Sequence, residues 1–225
     1  MTRYDKAYFK NIGSLLEQII ENESDLMEKT ANLFSEVIKQ NGRIFVSGSG
    51  HSSLVAQEAY YRAGGLVSIK PIWLKSLLIT ENAEMSTHLE RISGIAEATL
   101  NEYQPNQKDC LVIVSNSGRN AYGIELALVA KSMRCTTVAL TSIQHSSSVE
   151  SRHSSGKRLF ELCDIVIDSH VPLGDASMSH QDFKEHFGPV STISTVAIFN
   201  AVVCRTIEIL LEKKHYPKVL ESANL

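Results

Sequence analysis

The chain has 225 residues, of which 43% are hydrophobic and 21% charged, with a formal net charge of −3. Such proportions bury a core and exclude a disordered or collagen-like protein. The near-balanced charge leaves no electrostatic footprint for nucleic acid or an anionic membrane, and neither is expected as a partner.

Residues 4–40 repeat apolar side chains at helical spacing: Tyr8, Ile12, Leu15 and Ile19, then Leu26, Leu33 and Val37. The polar run 22–25 predicts a bend or a junction between two helices. Residues 1–40 are read as an N-terminal helical extension, and 41–225 as a single globular unit. Residues 43–46 (RIFV) form a short apolar run that stops at Ser-Gly-Ser-Gly. A helix is predicted over 52–63, with Gly64-Gly65 as its stop. Residues 66–72 alternate like a strand, and 86–103 read as a helix.

A second apolar run, 110–114 (CLVIV), ends in small polar residues and is followed by a helix over 121–133. A third, 136–140 (TTVAL), ends at Thr141-Ser142. A short helix over 157–162, a strand over 164–168 and a closing helix over 191–214 complete the pattern. The closing segment contains Asn200, Arg205 and Glu208, so it reads as a buried helix and not as a membrane span. Cys110, Cys135, Cys163 and Cys204 stand far apart, and the first ten residues are polar. A reduced, cytoplasmic protein without a signal peptide is expected.

Strands alternating with helices predict an α/β fold with a parallel sheet of five strands, covered on both faces. Ligands of such sheets bind beyond the carboxyl ends of the strands. That rule selects residues 47–53, 115–120, 141–156 and 170 onward.

The first of these loops reads Gly48-Ser49-Gly50-His51-Ser52-Ser53 and opens a helix. Free backbone N–H groups and the helix dipole favour an anion there. The dinucleotide fingerprint requires a third glycine where Ser53 stands, and an acid after the next strand, where Lys70, Trp73 and Lys75 stand instead. With no Walker loop either, no nucleotide cofactor is expected. Ser52 also reads as an ordinary N-cap. The second loop, Ser115-Asn116-Ser117-Gly118-Arg119-Asn120, has the same placement. Two such loops on neighbouring strands can converge on one phosphate.

The segments VSGSGHSS (46–53), VSNSGRN (114–120) and VALTS (138–142) resemble the three strand-end motifs of the SIS (sugar isomerase) domain. SRHSSGK (151–157) and VPLGDA (171–176) are similar to an uncharacterised bacterial subfamily labelled as phosphosugar isomerases. The resemblance implies a flavodoxin-like five-stranded sheet, a phosphorylated sugar as ligand, and a homodimer or higher homo-oligomer with sites near subunit boundaries. It carries phosphate or substrate binding to Gly50, His51, Ser52, Ser53, Ser115, Ser117, Asn120, Thr141 and Ser142.

Aldose–ketose isomerisation through an enediolate needs a carbon-proton base and stabilisation of negative charge. Glu58 lies six residues past Ser52, about 9 Å of helical rise, a gap that a sugar spans; it equally reads as a solvent-facing helix residue. The resemblance points to Glu81, with Glu84 read as support for the next helix start. His153, in the serine-rich segment 142–156, is a candidate acid/base residue. In phosphoheptose isomerases the catalytic glutamate falls where Arg62 stands here, and a histidine from the region of His180 and His186 joins the site. No metal site is expected, since His145 and His153 have no nearby cysteine. The expected function is a phosphosugar isomerase. The alternatives are a phosphosugar-sensing module that turns nothing over, and a phosphosugar lyase or etherase.

Overall fold

Five parallel strands, β1 (Ile44–Gly48), β2 (Ile69–Pro71), β3 (Cys110–Val114), β4 (Thr136–Thr141) and β5 (Ile165–Asp168), pair in the order β2-β1-β3-β4-β5. This is seen in a computed structural model that describes residues 3–222 and 224. The order is the flavodoxin-like one, with its switch point between β1 and β3. Helices α1 (Tyr4–Lys39), α2 (Ser53–Ala59) and α7 (Ser191–Glu212) cover one face; α4 (Ile95–Tyr103) and α5 (Ala121–Ser132) cover the other.

Because side chains alternate along a strand, each apolar run supplies both cores. Val46, Val112, Val138 and Ile167 pack with Phe34 of α1 and Phe199 of α7. Phe45, Leu111, Ile113 and Ala139 pack with Leu100 of α4 and Tyr122 of α5. Full burial of each large side chain contributes about 1.5–3 kcal/mol, so a charge at Val112 would break both the ladder's cover and the core.

The expected bend near 22–25 is absent: α1 is one helix of 36 residues. Its polar run is a docking point. Glu23 is 7% exposed, and its carboxylate accepts from the Asp168 N–H (3.2 Å) and from His170 Nε2 (2.9 Å) at the exit of β5. Asn22 donates back to the Gln18 carbonyl at 2.7 Å, which keeps the turn closed. From Ile19 onward the apolar stripe of α1 lies in the core, against α7. Helix α7 is long and apolar enough to span a membrane by length and composition, yet 50% of its apolar window is buried inside the fold. There Phe199 meets Phe34 at 6.2 Å between ring centroids, and Arg205 pairs with Glu28 at 2.6 Å.

Several expected boundaries shift for local reasons. Helix α2 stops at Ala59 because Tyr60 turns extended and Tyr61 adopts φ +48°, so Arg62 lies beyond the helix. The strand expected over 66–72 shortens to β2, with Leu66 bridging instead to Val219. The helix expected over 86–103 is two: α3 (Ala83–Leu89), capped by Asn82 accepting from the Met85 N–H at 2.9 Å, and α4, separated by Gly94 at φ +90°. Residues 157–162 form only a 3₁₀ turn, Leu159–Glu161.

The region from 170 onward, selected above as lying beyond the strand ends, carries an antiparallel hairpin, β6 (Ala176–His180) and β7 (Phe183–Pro189). The hairpin sits on the first turns of α1. Tyr8 donates to the Pro189 carbonyl at 2.5 Å, Asn11 to the Ser177 carbonyl at 3.0 Å, and Tyr4 meets Phe187 edge-on at 5.3 Å.

Candidate functional site

The register pairs Gly48 with Val114, so the loops that follow β1 and β3 leave the sheet side by side. The first turns back sharply: a Cβ on Gly48 would stand 2.7 Å from the Ser52 carbonyl oxygen, so only glycine fits. Gly50, at φ +55°, donates its N–H to the Leu77 carbonyl at 2.9 Å, which brings the 3₁₀ turn Lys75–Leu77 alongside.

Glu90, at the end of α3, joins the two loops. One of its oxygens accepts from the Ser49 hydroxyl at 2.5 Å and the other from Asn120 Nδ2 at 2.8 Å. Arg152 in turn donates to Asn120 Oδ1 at 3.0 Å. Nothing in the helical pattern of 86–103 distinguishes Glu90 from any other helix glutamate, and sequence reasoning missed it.

The serines separate into two groups. Ser52 stands at the start of α2 without a capping bond, and neither its hydroxyl nor that of Ser117 has a partner among the described residues. The remaining candidates serve the fold. Ser53 is 1% exposed, donates to the Gly50 carbonyl at 2.7 Å and accepts from Gln57 at 3.1 Å. Ser115 accepts from the Gly118 N–H at 3.2 Å, holding the second loop in its turn.

Thr141 and Ser142 are fully buried. Thr141 donates to the Asn116 carbonyl at 3.3 Å. Ser142 donates to the Val171 carbonyl at 2.6 Å and caps α6 (Ile143–Ser147) by accepting from the His145 N–H at 3.1 Å. His51 is exposed beside Ser52. Next to the second loop, His145 Nδ1 lies 3.2 Å from Asn116 Nδ2. Burial holds the His145 imidazole below its ordinary pKa; the Asp175 carboxylate opposes that and Arg119 adds to it.

The acid/base candidates do not gather at one point. Glu58 pairs with Arg62 and lines a groove of about 690 Å³ between α2 and the start of α7, with Leu54, Ile193 and Val196 on its walls and none of the loop serines. Glu81 is exposed in the segment between the 3₁₀ turn and α3, and its side chain makes no bond among the described residues.

His153 faces Glu125, with Nε2 3.5 Å from Oε1 and side chains only 10% and 12% exposed. Its Nδ1 accepts from the Ser155 N–H at 3.2 Å, so the neutral ring carries its proton on Nε2, toward Glu125. Glu125 also accepts from the Gly94 N–H at 2.8 Å, tying the 151–157 loop to the start of α4.

His180 accepts from the Asp182 N–H at 3.1 Å in the hairpin turn. His186 lines a cavity of about 530 Å³ between α1 and the hairpin, together with His170, Gln18 and Ser177. Among the described residues no three His, Cys, Asp or Glu side chains are grouped as metal ligands.

A doubly covered sheet with small-polar loops at adjacent strand ends is the architecture of sugar isomerase domains. The chain belongs to the SIS domain family, whose model matches residues 7–142. It is 39% identical over 218 residues to a UPF0309 protein of Geobacillus thermodenitrificans, covering 97% of this chain and 88% of the relative. Among solved structures, phosphoheptose isomerase GmhA of Neisseria gonorrhoeae superposes with a TM-score of 0.62 at 15% identity, over 91% of this chain and 97% of that one. The Vibrio vulnificus NanR protein complexed with ManNAc-6P gives a TM-score of 0.57 at 19% identity, over 95% of this chain and 66% of that one. The fold is that of these proteins.

Proposed function

We propose that the chain binds a phosphorylated sugar at the ends of β1 and β3 and isomerises it between aldose and ketose forms through an enediolate. The observation that supports this most is the division among the serines. The hydroxyls of Ser52 and Ser117 are unpartnered on adjoining loops, while Ser53, Ser115, Thr141 and Ser142 are engaged in the fold. A phosphate accepts from hydroxyls without needing a lysine. The free N–H groups expected at the first loop are not found at the start of α2, where those of Ser52, Ser53 and Leu54 donate to the carbonyls of Ser49, Gly50 and His51. The Vibrio vulnificus NanR protein, part of which has this fold, is complexed with ManNAc-6P, which supports the same ligand class. Glu90 bonds to the first loop through Ser49, and Glu81 donates its N–H to the carbonyl of Leu78, the residue bridged to Gly50; these are the carboxylates proposed for the proton transfer.

A sensing role is the second reading. It is favoured by the ties that hold Glu58 to Arg62 and His153 to Glu125, which leave those two groups occupied.

Calorimetry and product analysis on a panel of phosphosugars test both readings. Ser117→Ala should weaken binding by about 1–3 kcal/mol, as for a lost hydrogen bond to a charged group, without lowering the melting temperature. Undiminished affinity in the folded variant sinks the site. An isomeric product supports the isomerase, an elimination product a lyase, and tight binding without conversion the sensor.

The protein is further proposed to work in the cytoplasm, where the four cysteines, all unpaired, stay as thiols. It is proposed to act as a homo-oligomer that covers the α2–α7 groove and the exposed Ile193. A single 24.9 kDa species by light scattering at micromolar concentration would contradict the second of these.

A further inference from the structure

We propose that Arg91, Arg119 and Arg152 bind a second anionic group of the ligand, so that the preferred substrate is a sugar with a phosphate at one end and a carboxylate or second phosphate at the other. The inference rests on the phosphosugar reading above and narrows it.

The three arginines come from three separate segments. Arg119 lies in the second loop, two residues past Ser117, and its carbonyl accepts from the Arg152 N–H at 2.8 Å. That contact holds the 151–157 loop against the second loop. The Arg152 guanidinium donates to Asn120 at 3.0 Å, and Arg91 follows Glu90 at the end of α3.

Like charges gather here. Burial, then the Arg119 and Arg91 guanidiniums, hold Arg152 below its ordinary proton affinity, and Glu90 is the carboxylate that opposes them. Both oxygens of Glu90 are already committed to Ser49 and Asn120. At Arg152 two guanidiniums therefore stand against one engaged carboxylate, and positive charge remains at the loop that also carries the free Ser117 hydroxyl. The Nε of Arg119 is buried with no acceptor. Buried guanidinium donors are ordinarily paired, and planar anions such as carboxylate and phosphate suit them best. A phosphate held by the Ser52 and Ser117 hydroxyls does not require these arginines, whereas a second anion on the same sugar accounts for all three.

Matched ligands separate the possibilities. Glucose 6-phosphate, 6-phosphogluconate and glucose 1,6-bisphosphate share one phosphate and differ at C1; fructose 6-phosphate and fructose 1,6-bisphosphate form a second set. By calorimetry the doubly anionic member of at least one set should bind roughly 10-fold or more tightly than its monophosphate, the ratio of one charge-assisted hydrogen bond. The carboxylate and bisphosphate arms show which anion is preferred.

Arg152→Gln should erase that preference while leaving monophosphate affinity within about threefold, less than the loss of a single such bond. Arg91→Gln should do the same, and Arg91 has no side-chain hydrogen bond among the described residues whose loss would disturb the fold. Equal affinity for mono- and dianionic sugars in the unmutated chain overturns the proposal. So do variants that weaken both kinds alike, which would place the arginines on the first phosphate. If no member of either set binds, the phosphosugar reading falls and this inference falls with it.

Discussion

Ser49 and Asn120 share one carboxylate: the two oxygens of Glu90 accept from them at 2.5 and 2.8 Å, so the loops after β1 and β3 keep a fixed spacing. Glu90→Ala leaves both donors without that acceptor. It should lower stability by about 1–3 kcal/mol and weaken phosphosugar binding together with it. Denaturant unfolding alongside titration of the ligand gives both quantities. A variant with unchanged midpoint and unchanged affinity would show that the clamp is idle.

The carbon-proton base is the next target. If Glu81 takes that proton, Glu81→Gln should cut kcat by about 10²–10⁴-fold with little change in KM, because the interaction matters in the transition state. Glu81 is exposed and unbonded, so the fold should be indifferent to the change. Full turnover in Glu81→Gln would shift the role to Glu90, where the same comparison with Glu90→Gln applies.

His145 gives a pH dependence with a definite sign. Its folded-state pKa lies below the ordinary 6.5, chiefly from burial. Between that lowered value and 6.5 the unfolded chain binds more protons than the folded one, so stability rises with pH through this window and levels off above it. His145→Gln should flatten that part of the stability profile relative to the unmutated chain. An identical slope in the two proteins, followed by urea midpoints from pH 5 to 8, would assign it to other groups.

Glu23 anchors α1 to the end of β5. Glu23→Ala strips the acceptor from the Asp168 N–H and from His170 in a buried setting, and a loss of about 1–3 kcal/mol is expected. Glu23→Gln, which keeps one oxygen, should lose less. Chemical denaturation ranks the two, and the reverse order would mean that the site prefers an apolar filler to an acceptor.

The parallel sheet was legible because its strands are continuous apolar runs and its turns are small polar residues; β1, β3, β4 and β5 fall where RIFV, CLVIV, TTVAL and DIVID stand. The hairpin β6–β7 was not legible. Its residues are mostly exposed and polar, so no hydrophobic pattern marks it, and its register is set by contacts with Tyr4, Tyr8 and Asn11 some 165 residues or more earlier in the chain. The polar run 22–25 looked like a break because a local reading has no access to Asp168 and His170, which give Glu23 its partners.

At the site, the motifs selected the correct loops but not which hydroxyls stay free: Ser52 and Ser53 are adjacent in sequence, yet one is bonded into the turn and the other is not. Glu90 and Arg152 reach the loops by tertiary contact alone.

The partners of α1 also set an order in time. Of the described elements α1 leaves the ribosome first, yet what covers most of its apolar stripe, α7 and the exit of β5, is among the last. Contacts this distant in sequence form late, since closing so long a loop costs entropy before it gains burial. Until synthesis passes α7, the stripe from Ile19 to Ile38 lacks the helix that forms the larger part of its cover. Nascent chains that stall or terminate before Ser191 should therefore be held by chaperones or aggregate, even though every strand of the five-stranded sheet is already present in them.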